Sequence, residues 1–169
     1  LQKGTQPESF RPTMYDFLAY NALQFYSTGE QAGSKAEDAF ELSANSPVFD
    51  STAKFMAWEI KTTDTESRTV RALQLYQSLL HFHENDKEKS AYIDADLARI
   101  NFGKNKGFGE EKSERYRSAL KSFISVWADH RISARARFHL AQSLDQEGDK
   151  VQAHKIATQG RDAFPNTPG

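Results

Sequence analysis

The stretch LAQSLDQEGDKVQAHKIATQGRDAFP, from Leu140 to Pro165, contains two helix-forming segments separated by a Gly-Asp pair. The tetratricopeptide (TPR) pattern has small residues in two antiparallel helices, a turn between them and a final proline, in a unit of about 34 residues. Small residues let two helices approach closely. Arg137 and Ala157 stand where the pattern has Trp and Phe. The corresponding repeat positions are Leu140, Ala141, Leu144, Gly148, Ala153 and Pro165.

The second-helix signature of this unit recurs three times upstream. The copies are Ala22 with Tyr26, Ala72 with Tyr76, and Ala119 with Phe123. They are unevenly spaced, which indicates lengthened connections between helices. We therefore predict an all-α fold of roughly seven helices in antiparallel pairs, an irregular TPR-like solenoid. It would occupy residues 13–169, after an irregular tail at residues 1–12.

Helical periodicity predicts where the first helix lies and which face it buries. Thr13 and Asp16 have the spacing of a capping box, and Pro12 disfavours helix before them. A helix from residue 13 to 26 would bury a stripe at helical spacing. The stripe is Met14, Phe17, Leu18, Ala22 and Phe25.

Helix boundaries further along are predicted from capping and breaking residues. A long loop would follow to residue 45, with residues 39–42 against the core. Ser46-Pro47 would begin the second helix, and a capping box at residues 63–66 the third. The fourth helix, 91–102, would end at a flexible glycine-rich connector, 103–109.

Composition limits the classes of partner and chemistry. The net charge is −1, which disfavours nucleic acid as a partner, and no apolar run is long enough to span a membrane. The absence of Cys excludes disulfides and a Cys nucleophile within these 169 residues. Leu1 is neither an initiator Met nor the start of a signal peptide, so we expect part of a longer protein.

Candidate chemical motifs have ordinary structural interpretations. His81 and His83 point about 200° apart on a helix, which does not suit a shared metal ion. The carboxylates Asp94 and Asp96 have no recognisable acid-base partner, and Glu110-Glu111 suits a helix N-terminus. We therefore predict no catalytic site, no metal and no cofactor.

Three phrases resemble the helical N-terminal region of large bacterial alpha-2-macroglobulin-like proteins. They are RPTMYDFLAYNAL at 11–23, DADLAR at 94–99 and SARAR at 133–137, and the similarity extends from about Phe10 to Gly169. The resemblance implies an envelope-associated, periplasmic peptidase inhibitor. In such a protein the bait region, the β-domains and any Cys-containing thioester would lie beyond this chain, which would be an N-terminal scaffold.

Two functional interpretations follow. In the first, the chain is a non-catalytic scaffold that docks on the remaining macroglobulin-like domains or on an envelope protein. In the second, it is a free-standing TPR-like adaptor, cytoplasmic, which binds a peptide or partner protein in a concave groove. Candidate partner-binding residues for the second interpretation are Arg99, Asn101, Arg135 and Arg137.

Overall fold

The regular elements in the described part of the chain are all helices. The computed structural model describes residues 8–28, 38–165 and 167, and in these ranges it has seven α-helices and no β-strand. The predicted all-α class is confirmed, whereas the TPR-like solenoid stays a prediction. The helices are α1 (Met14–Ser27), α2 (Thr52–Met56), α3 (Arg68–His83), α4 (Ser90–Lys106), α5 (Lys112–Val126), α6 (Ser133–Gln146) and α7 (Lys150–Ala163).

Helix α4 is the centre of the structure. Of its 17 residues, 11 are buried, and they lie on all sides of the helix. It packs against α3 and α5, and against two short 3-10 turns, Glu8–Phe10 and Pro47–Phe49. A helix buried all round is typical of a core position. Helices α1 and α2 both pack on α3, and at the other end α5 packs on α6 and α6 on α7.

The opening stretch forms the predicted helix-turn-helix. Gly148 has a φ of +89°, the left-handed conformation that a glycine adopts readily, and it reverses the chain after α6. Asp149 caps α7, because its side chain accepts a hydrogen bond of 3.1 Å from the Gln152 N–H. Ala141 and Ala153 are buried where the two helices meet, and Pro165 lies just after the end of α7.

The predicted N-terminal cap of the first helix is confirmed. The Thr13 N–H donates to Asp16 Oδ2 at 2.9 Å, and the Asp16 N–H donates to Thr13 Oγ1 at 3.3 Å, which is the predicted capping box. Within the predicted irregular tail, Glu8–Phe10 form a 3-10 turn whose Phe10 is buried in the core. Residues 1–7 of that tail lie outside the described residues.

Two predicted helix starts are wrong. The Ser46 side chain makes no capping hydrogen bond, and Pro47–Phe49 form a single 3-10 turn. Helix α2 therefore begins only after Ser51. Ser67 caps α3, since its hydroxyl accepts from the Val70 N–H at 3.3 Å. Thr63, the predicted cap of that helix, donates its hydroxyl to Asp38 instead.

The glycine-rich connector also differs from its prediction. Helix α4 continues through Gly103, where a Cβ atom would lie 2.9 Å from Phe49 Cε1. This glycine therefore permits close packing and does not break the helix. Beyond it, the Phe108 N–H donates to the Leu42 carbonyl at 3.0 Å, and the Phe108 carbonyl accepts from Ala44 at 2.8 Å. The connector is thus anchored to the predicted core-contacting segment.

The face that α1 buries is opposite to the predicted one. The buried residues of the helix are Asp16, Ala19 and Leu23. Ala22 is half-buried. The other members of the predicted stripe are exposed: Met14 by 63%, Phe17 by 48%, Leu18 by 60% and Phe25 by 57%.

Replacing Gly103 with Ala should destabilise the protein, although Gly to Ala within a helix usually stabilises by about 0.5–1 kcal/mol. The added methyl would overlap Phe49, and we expect a loss of about 1–3 kcal/mol in the free energy of unfolding, measured in urea. Gly160→Ala on α7, whose nearest side-chain atom is 3.3 Å away, is the control and should cost less. A Gly103→Ala protein as stable as the wild type would contradict the packing described.

Candidate functional site

A buried histidine lies between two aspartates. His83 Nε2 is 2.6 Å from Asp16 Oδ1, and His83 Nδ1 is 2.6 Å from Asp86 Oδ2. Asp16 and His83 are both about 1% exposed at their side chains, whereas Asp86 is 41% exposed. For both contacts to be hydrogen bonds to carboxylates, both ring nitrogens must donate, as in an imidazolium. The group joins α1 to α3 and its buried part is closed to a substrate.

A second buried carboxylate joins three helices. Asp94 of α4 accepts from the Tyr20 hydroxyl of α1 at 2.9 Å and from Arg135 Nη1 of α6 at 2.7 Å. Burial, followed by the charge of Asp94, raises the pKa of Tyr20 well above its usual value. The tyrosine is therefore a hydrogen-bond donor at neutral pH, and it supports the docking of α1 together with Asp16.

The third buried group is Arg99, which forms hydrogen bonds with the segment before α2. Arg99 is 1% exposed, and its Nε donates to Asp96 Oδ1 at 2.8 Å. Its other nitrogens donate to the carbonyls of Val48 and Asp50 at 2.7 and 2.9 Å. The Arg99 guanidinium is thus buried and bound inside the protein, in the wall of a cleft described below, and its role as a partner contact stays a prediction.

The other predicted partner-binding residues each bind a neighbour within the fold. Asn101 accepts from the Tyr116 hydroxyl at 2.7 Å, and Arg135 bonds the buried Asp94. Arg137 donates to Ser133 Oγ at 2.5 Å and lies against Gly160 of α7, and burial lowers its pKa. These side chains bind neighbours within the fold, and their role in partner binding stays a prediction.

The predicted repeat positions are mainly packing residues. Three are half-buried, namely Ala22, Tyr26 and Leu144, and Gly148 and Pro165 are exposed at the turn and the end of the hairpin. The remaining positions are buried, as a helix-packing role requires. They are Ala72, Tyr76, Ala119, Phe123, Leu140, Ala141 and Ala153.

Two partly buried histidines, His139 and His130, have lowered pKa values. Burial, and then the charges of Arg135 and Lys104, lower the pKa of His139 to about 4. Burial also lowers the pKa of His130, whose Nε2 is 3.1 Å from Ser90 Oγ. In the described ranges, no three His, Asp or Glu side chains are placed so that they could hold a metal ion.

A cleft of about 780 Å³ runs along α5, opposite the segment from Asn45 to Thr52 and one side of α4. Its lining combines aromatic residues with charged ones from three separate parts of the chain. Arg115, one of the lining residues, donates to Asp50 Oδ1 at 2.8 Å. Sequence reasoning missed this site because its walls come from segments that are distant along the chain.

The outer face of α1 is the other notable surface, and we define it as Met14, Phe17, Leu18 and Phe25. Met14, Leu18 and Phe25 fall within about 40° of one another on the helix, at 3.6 residues per turn. Asp16 is the one charged residue in the sequence of α1, and it is buried. The exposed side of this helix therefore contributes no charge of its own.

Comparisons with known proteins supply no relative. Neither family models nor searches of curated proteins and of solved structures gave a match to this chain. The macroglobulin-like resemblance stays a prediction. In the part of the chain that the structure describes, no helix combines the length and the apolar character needed to cross a membrane.

The buried Asp16-His83 pair should be strongly coupled. Asp16→Asn or His83→Gln alone leaves a buried group without its partner, and we expect each to cost about 3–5 kcal/mol in urea unfolding. The double variant should cost clearly less than the sum of the two. Asp86→Asn, at the exposed side of the ring, should cost under about 1 kcal/mol. Additive costs for the first two changes would contradict a direct interaction.

The lowered pKa of His139 predicts a loss of stability in acid. The unfolded chain takes up this proton near the ordinary His value of about 6.5, and the folded protein only near about 4. The contribution of a neutral His139 is therefore complete above about pH 6.5 and is lost as the pH falls toward 4. His139→Gln should gain stability relative to the wild type between about pH 7 and pH 4.5, measured by urea unfolding. A difference that does not change with pH would contradict this prediction.

Proposed function

We propose that this chain is a non-catalytic helical scaffold and protein-interaction module that docks on another protein through the outer face of α1. The single observation that carries the proposal is the exposure of Met14, Phe17, Leu18 and Phe25 on a helix whose opposite side is already buried. A helix that is apolar on both sides is normally covered on both sides.

The two ends of the helical array support the proposal by their contrast. Terminal helices of repeat arrays need a polar outer face. The exposed side of helix α7 is mainly polar, with Lys155, Arg161 and Asp162 exposed beside one large apolar residue, Val151. Helix α1 instead exposes four large apolar side chains, each by 48–63%, and apolar patches on soluble proteins are often functional. The α1 end is therefore suited to receive another helix or domain.

The buried titratable groups support a scaffold in preference to an enzyme. The Asp16-His83, Asp94-Arg135 and Asp96-Arg99 pairs each join separate elements or brace a turn, with distances of 2.6–2.8 Å. General acid-base catalysis needs such a group within reach of a substrate. The Asp16-His83 and Asp94-Arg135 pairs are outside the cleft along α5, whereas Asp96 and Arg99 line it but bond each other and the turn before α2.

The macroglobulin-like resemblance suggests which protein covers α1. It would be the remaining macroglobulin-like domains of the same polypeptide, or an envelope protein, in a periplasmic or envelope-associated peptidase inhibitor. The alternative is a free-standing TPR-like adaptor in the cytoplasm, which captures a peptide or partner protein. The cleft along α5 is the feature that favours this alternative.

Photocrosslinking tests the docking surface. With p-benzoylphenylalanine in place of Leu18, the native protein in its source cells should give one discrete crosslinked peptide by mass spectrometry. Lys155 on the polar face of α7 is the matched exposed control and should give none. An antibody against this chain should detect a polypeptide many times 19.1 kDa in the envelope fraction if the macroglobulin-like interpretation holds.

Two results would contradict these proposals separately. Equal, diffuse crosslinking from Leu18 and Lys155 would mean that the outer face of α1 has no specific partner. A small cytoplasmic polypeptide that still crosslinks specifically from Leu18 would reject the macroglobulin-like setting and retain the interaction module.

A further inference from the structure

The charges in the cleft along α5 are not balanced. Its lining has four carboxylates and two guanidinium groups, and both guanidinium groups are already bound, Arg99 to Asp96 and Arg115 to Asp50. The side chains of Glu111 and Glu114 form no hydrogen bond or ion pair with the residues that the structure describes. The N-terminal end of the cleft therefore carries two uncompensated negative charges.

The opposite end of the cleft is apolar. Phe123 is buried at its base, Val126 is 69% exposed at its edge, and Trp127 lies beside Tyr92 with ring centroids 6.4 Å apart. A partly exposed aromatic pair beside an exposed aliphatic residue is the kind of pocket in which a hydrophobic side chain is desolvated.

Between these ends, helix α5 contributes two small polar side chains to the cleft. Ser118 and Ser122 line it, both exposed, so a bound backbone can approach α5 closely and find hydroxyl groups. From Glu111 to Trp127 the helix rises about 24 Å at 1.5 Å per residue. An extended peptide of about seven residues, at roughly 3.3 Å each, would reach from one end to the other.

We propose that this cleft binds an extended peptide segment that has Arg or Lys at one end and a large hydrophobic residue at the other. The basic end lies over Glu111 and Glu114, where charge complementarity selects it. The hydrophobic side chain inserts between Val126 and Trp127. This surface is separate from the outer face of α1, so either proposal can fail without the other.

The two glutamates also lie at the N-terminus of α5, where negative charge stabilises a helix. Glu110 lies at the same end of the helix, one residue before the N-cap Glu111, but is outside the cleft. Glu110→Gln is therefore a matched control. All three glutamates can affect the stability of α5, but only Glu111 and Glu114 line the cleft.

The test uses synthetic heptapeptides with blocked ends, in the sequence Arg-Arg-Gly-Ser-Gly-Leu-Phe and in its reverse. The Trp58→Phe protein keeps Trp127 as its single tryptophan, and its fluorescence reports binding. One of the two orders should bind with a Kd of roughly 10–500 μM. The same peptide with Glu in place of Arg should bind at least about tenfold more weakly.

Variants then locate the binding site. Glu111→Gln with Glu114→Gln should weaken binding by about 5–20-fold and reduce its salt dependence, whereas Glu110→Gln should leave it unchanged. Ser122→Arg should abolish binding, because the larger side chain would fill the cleft and its positive charge would repel a basic peptide. Ser125→Arg, an exposed serine of the same helix outside the cleft lining, should not.

The proposal is overturned if neither peptide order binds at about 1 mM, a concentration that would detect even weak complexes. It is equally overturned if the Glu peptide binds as well as the Arg peptide. Full binding by Ser122→Arg, in a protein whose circular dichroism matches the wild type, would exclude the cleft as the site.

Discussion

The contact between Asp16 and His83 fixes the orientation of the first helix, and much of the surface chemistry follows from it. The two groups are both buried and 2.6 Å apart, and neither could stay buried without the other at acceptable cost. Asp16 must therefore face α3, whatever the hydrophobicity of the rest of α1. The opposite side of the helix, with Leu18 and Phe25, must then face outward, and this is how an apolar interaction surface arises at one end of the fold.

The same principle operates around α4. Its aliphatic residues form the core, while Asp94, Asp96 and Arg99 bond neighbouring elements in defined geometries. Apolar burial is not directional, so it provides stability without fixing the rotation of each helix. Buried hydrogen-bonded pairs are directional. Here they attach α1, α6 and the turn before α2 to one central helix, and they leave the exposed surfaces for partners.

Sequence patterns predicted well where one face of a helix was apolar and the other polar. The hairpin of α6 and α7 is an example, because the spacing of its small and apolar residues identifies the buried side. Helix α1 is apolar on both sides, so periodicity gave the wrong face. Gly103 was misinterpreted as a helix break because its packing partners, Val48 and Phe49, lie far away along the chain. The cleft was missed for the same reason, since no local pattern brings its three walls together.

The most direct test of this account is the accessibility of the two sides of α1. The chain has no Cys, so a single substitution introduces one thiol. Leu18→Cys on the outer face should react with a maleimide within about tenfold of its rate in urea, because it is already in contact with solvent. Ala19→Cys, next to it in sequence but buried, should react at least about a hundredfold more slowly. Equal rates at the two positions, or faster reaction at Ala19→Cys, would contradict the orientation that the Asp16-His83 contact imposes.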